Sequence, residues 1–157
     1  MNERELLEEL INRSLERLYK DDLDLIVREA NERTIAAHFA NYFELYSKEL
    51  KYKSLFEGLN EGERLSVDVE YNRSGGDSKG LIEGSPYNYP DFIFHQRREQ
   101  KNNILIIEFK AHWSKETQEE DIIKIQLFMS EKDEYKYRYG ATVMLGIEEP
   151  TLNWISK

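Results

Sequence analysis

The stretch Asn103-Ile104-Leu105-Ile106-Ile107-Glu108-Phe109-Lys110 decides how this chain folds. Its nearly continuous aliphatic run leaves no solvent-facing side, which predicts a strand central in a sheet. Side chains alternate along a strand, so Ile104, Ile106, Glu108 and Lys110 share a face. Glu108 and Lys110 then stand about 6–7 Å apart at the strand's exit. Residues 98–102 read as a turn, and residues 89–97 before them as another strand with Pro90-Asp91 at its start. If that turn closes a hairpin, the two strands are antiparallel, and Asp91 lies beside the end of the next strand. Sixteen residues separate Asp91 from Glu108, enough for the two to converge. Two carboxylates on adjacent strands can hold a hard divalent cation such as Mg²⁺. A lysine beside that cation can steady an attacking water or a phosphate oxygen.

Upstream, residues 3–20 carry Leu7, Leu10, Ile11, Leu15 and Leu18 at helical spacing, and Asp21-Asp22 marks a break. A second, longer helix is expected over residues 23–50, with a stripe of Ile35, Phe39, Tyr42, Phe43 and Tyr46. Residues 51–64 are polar and read as a connection. Residues 65–73 alternate with period two: Val67, Val69 and Tyr71 on one face, Asp68, Glu70 and Asn72 on the other. Residues 74–88 contain four glycines and Pro86 and read as a long loop, a common place for function. After the central strand, residues 116–130 have helical periodicity, residues 138–147 read as a last strand, and a tail follows with Pro150 and Trp154. The expected fold is a single α/β domain over residues 1–157, a central mixed sheet of about four strands flanked by helices behind an extra N-terminal helix.

Composition bounds the chemistry. With 34% charged and 39% hydrophobic residues the chain suits a soluble globular protein. The absence of cysteine excludes disulfides, zinc–thiolate sites and thiol nucleophiles. No signal peptide or membrane span is legible, so the expected compartment is the cytoplasm, with no membrane partner. A net charge of −9 argues against a generic nucleic-acid binder. The acid is uneven, however: residues 1–25 hold eight acids and four bases, whereas residues 91–140 hold ten and nine. A bound divalent cation would offset the acids of the proposed site.

Other residues have two readings each. Glu32 falls on the apolar stripe of the second helix, where an acid is costly unless paired or metal-bound; the plainer reading pairs it with Arg28 or Arg33. Glu70 lies on the polar face of the first strand, toward the site or toward solvent. His95 and Arg97 share the face of Asp91 by alternation; a histidine there can touch a phosphate or serve structure alone. Asp121 and Lys124 form either an exposed intrahelical pair or, if their helix packs over the sheet, part of the site. The plain alternative for Glu108 and Lys110 is an ion pair at a strand end, and for Asp91 a turn acid after proline. The three histidines, His38, His95 and His112, form no ligand-spaced pair, which argues against zinc.

Pro90-Asp91, sixteen residues, then Glu108-Phe109-Lys110, in the order helix, strand, strand, strand, helix, strand, resembles the PD-(D/E)XK nuclease superfamily. The resemblance covers residues 28–147. It implies a restriction-endonuclease-like αβββαβ core and Mg²⁺, or Mn²⁺, held by Asp91 and Glu108. It also implies Lys110 assisting the attacking water and Glu32 as a helix carboxylate that joins them. The expected function is metal-dependent hydrolysis of phosphodiesters in nucleic acid, with DNA favoured as partner. The Phe109 carbonyl would aid the metal, and Arg73, Arg97 and Lys124 would contact phosphate. The alternative is a non-catalytic binding or scaffold module on the same fold, or a subunit of a larger nuclease or defence complex. Oligomeric state is open, although cutting both strands of a duplex favours a twofold homodimer.

Overall fold

The aliphatic run at residues 103–111 forms the longest strand, Asn103–Ala111, and all nine of its residues are buried. In a computed structural model of the chain, residues 1–69, 73–74, 77–78, 90–132 and 134–157 are described. The elements in chain order are α1 (Glu3–Asp21), α2 (Leu23–Val27), α3 (Glu32–Ser47), a 3-10 helix (Leu50–Phe56), β1 (Ser66–Asp68) and β2 (Arg73–Ser74). They continue with β3 (Asp77–Ser78), β4 (Phe92–His95), β5 (Asn103–Ala111), α4 (Gln118–Met129), β6 (Tyr139–Leu145) and β7 (Pro150–Ile155). The fold is α/β, with one mixed five-stranded sheet in the order β1-β4-β5-β6-β7 and a separate β2–β3 hairpin. β5 pairs antiparallel with β4, Phe92 opposite Ile107, and parallel with β6, Glu108 opposite Thr142.

The structure departs from the expected elements in several places. The single helix over residues 23–50 is two, α2 and α3, and the 3-10 helix Leu50–Phe56 falls in the expected connection over residues 51–64. Glu29 sits at φ 56, in the left-handed region that interrupts a helix. Asn31 then caps α3, its side chain accepting the Thr34 N–H at 2.8 Å. Glu32 is therefore the first residue of α3 rather than a position within a continuous stripe. Of the strand expected over residues 65–73, Ser66–Asp68 joins the main sheet and Arg73 begins β2, while residues 70–72, like most of the loop expected over 74–88, lie outside the described residues. The tail is a fifth strand. Leu152 and Trp154 alternate with exposed Thr151 and Asn153 and pack on the main core. The Trp154 Nε1–H donates to Glu8 at 3.0 Å.

The sheet has two dissimilar faces. α1 and α3 cover one, built on Leu7, Leu10, Ile11, Phe39 and Phe43 against Phe92, Phe94, Leu105, Ile107 and Phe109. Its rings meet edge to face, Phe39 to Phe109 at 5.1 Å and Phe43 to Phe92 at 5.0 Å. α4 covers the other with a smaller cluster: Ile93, Ile106, Ile125, Phe128, Met129, Tyr135 and Tyr137. Gly140 on β6 lets α4 approach, because a Cβ there would overlap Ile125 and Met129. Along the α4 side of β5 the residues run Ile106, Glu108, Lys110, so this small core turns from apolar to charged toward the end of the strand.

Candidate active site

At the carboxyl end of β5 the seam between sheet and α4 gathers charged groups. The Asp91 N–H donates to Glu108 Oε1 at 3.2 Å, and Asp91 Oδ2 accepts the Phe109 N–H at 2.9 Å. The start of β4 is thus clasped to the end of β5, as antiparallel pairing requires. Glu32 reaches the same place from the first turn of α3, its Oε1 accepting the Ala111 N–H at 3.1 Å. From α4, Lys124 Nζ lies 2.9 Å from Glu108 Oε1, and Lys110 Nζ lies 3.1 Å from Asp121 Oδ2. Glu116, on the exposed approach to α4, stands 3.4 Å from Lys110.

Burial sets the electrostatics. Glu108 is 3% exposed, and desolvation pushes its carboxyl well above the ordinary range; the Asp91 carboxylate beside it adds to the rise and Lys124 opposes it. Glu32 is raised by burial, against the Ala111 amide and with help from Asp91. Asp121 is raised by burial too, with Lys110 opposing. For Lys110, burial pulls the pKa down, but Asp121, Glu32 and Glu116 outweigh it and the net change is upward. Fully ionised, the carboxylates of Glu32, Asp91, Glu108 and Asp121 against the ammoniums of Lys110 and Lys124 leave a net −2.

No known family, curated protein or solved structure matches this chain.

The site is therefore read from its own residues. The donors are oxygens alone and the acids outnumber the bases, so the chemistry fits Mg²⁺ or Mn²⁺. Among the described residues, no three His, Asp or Glu side chains already stand around one point as an ion would need. Here an ammonium, Lys124, occupies Glu108.

The structure thus brings together Asp91, Glu108, Lys110, Glu32 and Lys124, with the Phe109 backbone between them. The Phe109 ring lies on the opposite face, in the main core. His95 and Arg97 are corrected. They lie at and just past the far end of β4, whose last residue is His95, four or more residues from Asp91, roughly 13 Å or more along an extended chain. A register shift between Phe94 and His95 further re-aims the chain there. His95 is fully buried, its Nε2 2.8 Å from Asp68 Oδ2, and the Arg97 Nε–H donates to the same oxygen at 2.8 Å. Both serve the β1–β4 edge. Glu70 lies outside the described residues, and for Arg73 the backbone alone is described, in β2. Sequence reasoning left Asp121 open and missed Glu116; an acid on an exposed loop carries no pattern that marks it.

Proposed function

We propose that this protein is a metal-dependent nuclease that hydrolyses phosphodiester bonds in nucleic acid, DNA above all, on a restriction-endonuclease-like core of the PD-(D/E)XK type. One observation carries the reading: Asp91, Glu108 and Lys110, joined by Glu32, converge at the carboxyl end of the central strand. Two further features support it. The order α3, β1, β4, β5, α4, β6 is helix, strand, strand, strand, helix, strand, with α1, α2, the 3-10 helix, the β2–β3 pair and β7 as additions. The convergence also lies where the parallel β5–β6 pair ends, and open α/β sheets bind ligands outside the carboxyl ends of their strands.

Mg²⁺ or Mn²⁺, when bound, would supply an acidified water and positive charge facing the phosphate. Asp91 and Glu108 would hold it, with Glu32 and the Phe109 carbonyl as further donors. Lys110 keeps its ammonium beside these carboxylates, anchored by Asp121. There it orients the attacking water and stabilises charge growing on the phosphate oxygens. A cytoplasmic setting and, for duplex cleavage, a twofold homodimer belong to the same reading.

The test is cleavage of single- and double-stranded DNA and RNA by the parent and by Lys110→Ala, with Mg²⁺, with Mn²⁺ and with a chelator. Metal-dependent cleavage by the parent, lost in Lys110→Ala, is expected; equal cleavage by both would sink the assignment. One observation favours a non-catalytic module instead. Glu108 with Lys124 and Lys110 with Asp121 form two neutral pairs that stand without a ligand. No cleavage of any substrate, together with no response to metal, would establish that reading.

A further inference from the structure

A cavity of about 310 Å³ opens at the His95 end of β4, whereas Asp91 precedes its Phe92 end. Gly62, Glu63, Arg64, Ser66, Gln96 and Arg97 line it. Ser66 pairs with His95 across β1 and β4, and Arg64 and Arg97, each two residues past that pair, meet at the cavity. The acids here are already matched: Glu63 pairs with Lys101, and Asp68 with Arg97. Arg64 is the charge left over. Among the described residues no hydrogen bond or ion pair engages its guanidinium.

The neutral groups beside it are donors in want of an acceptor. Gln96 is 7% exposed, and its Oε1 accepts the Asn102 Nδ2–H at 2.8 Å, which turns Nε2 away from that partner. Among the described residues nothing accepts from Nε2, and nothing bonds the Ser66 hydroxyl. A buried donor left without an acceptor costs stability, so the cavity is where an acceptor completes the set. A guanidinium, an amide N–H and a hydroxyl together suit an oxyanion, and the guanidinium fork matches phosphate oxygens. Three separate donors suit the three free oxygens of a terminal phosphate better than the two of an internal diester. With a net charge of −9 the chain offers no general attraction to anions, so affinity must come from these donors.

We propose that this cavity binds a terminal phosphate group, free or carried by a nucleotide or a strand end, with Arg64 supplying the charge and Gln96 and Ser66 the oriented neutral donors. The site needs no metal and stands apart from the metal-centre reading.

The experiment is isothermal titration of the full chain in chelator at constant ionic strength. The ligands are inorganic phosphate, a nucleoside 5′-monophosphate and a 5′-phosphorylated oligodeoxynucleotide, set against chloride, the nucleoside and the 5′-hydroxyl oligonucleotide. Chelator silences the metal centre, so failure here is distinct from failure of the nuclease reading. Binding should require the phosphate, and the tightest of the three ligands names its source. Arg64→Gln should weaken it roughly tenfold to a hundredfold, the scale of a hydrogen bond to a charged group, with Arg64→Lys between. Gln96→Leu should weaken it by about threefold to tenfold, the scale of a neutral hydrogen bond. Arg64 is only half-buried, so its variants decide the matter should the leucine variant fail to fold. No binding by any phosphate ligand, binding indifferent to the phosphate in every comparison, or affinity unmoved in Arg64→Gln overturns the site.

Discussion

Asp91 and Phe109 are locked through one hydrogen bond: the Phe109 N–H donates to Asp91 Oδ2 at 2.9 Å, so the proposed metal ligand also closes the β4–β5 pair. Asp91→Asn keeps an acceptor oxygen for that amide and removes the charge. It should fold and lose the rise in melting temperature that millimolar Mg²⁺ or Mn²⁺ gives the parent. Asp91→Ala strands the amide and should cost a further ~1–3 kcal/mol in denaturant unfolding. An alanine variant as stable as the asparagine one would show that the bond contributes nothing.

Lys110→Ala separates binding from chemistry. Lys110 contacts Asp121 and Glu116, so its loss removes a cation and no carboxylate from the centre. The thermal response to metal should persist while the hydrolysis rate falls by roughly 10²–10³, the scale for one lost electrostatic stabiliser. Loss of the thermal response in this variant would move Lys110 from the chemistry to the binding of metal.

Glu32 predicts a pH dependence. Its folded carboxyl is raised above the ordinary 4.5 by burial, with Asp91 and Asp121 adding and the Ala111 amide and Lys110 opposing. A raised carboxyl binds more protons folded than unfolded. Its contribution is thus fully present below about pH 4.5 and lost as pH rises through the folded pKa. Glu32→Gln keeps an acceptor for Ala111 and removes this loss. Its stability relative to the parent should increase as pH rises from about 4.5 through the folded pKa, read from urea midpoints in metal-free buffer. A difference that stays flat, or shrinks, across that window would contradict the assignment.

Asp68 predicts the opposite slope and no catalytic effect. Burial works against its ionisation, but His95 and Arg97 outweigh it and hold the carboxyl below the ordinary 3.8. That contribution is present above about pH 3.8 and fades as pH falls through the lower, folded value. Asp68→Asn should cost about 1.5–3 kcal/mol at neutral pH, the scale of hydrogen bonds to a charged group. Cleavage per folded molecule should change little, because Asp68, His95 and Arg97 pair with one another rather than with the carboxylates of the seam. A drop in cleavage with full folding retained would return His95 and Arg97 to the site.

Gly140→Ala tests how α4 is seated. The added methyl meets Ile125, whose branched side chain yields little, and Met129. An overpacking cost of roughly 1–3 kcal/mol is expected. Because α4 carries both Lys124 and Asp121, the metal response should change as well. A neutral substitution on both measures would mean that the helix can shift without disturbing the seam.

Local pattern alone determined the centre of this fold. Period two along residues 103–110 put Glu108 and Lys110 on one face, and the aliphatic run buried that strand on both sides, because these depend on neighbours in the chain. Turn length then made β4 antiparallel, which brings Asp91 beside Glu108 whatever the rest of the chain does. What packs across a face is a different matter, since sequence spacing carries no signal for contacts between distant elements. Only the docking of α4 on β5, permitted by Gly140, decided that Lys124 meets Glu108 and Asp121 meets Lys110 rather than each other. Only the left-handed turn at Glu29 and the cap at Asn31 put Glu32 at the head of α3, where it can reach Ala111. His95 and Arg97 had the right alternation but the wrong end of the strand. The half-buried carboxylate of Asp68 holds both of them there. The fifth strand, β7, was hidden for a related reason. Its alternation is short and follows Pro150, and it became a strand through pairing with the open edge of β6 and through the seat of Trp154 beside α1.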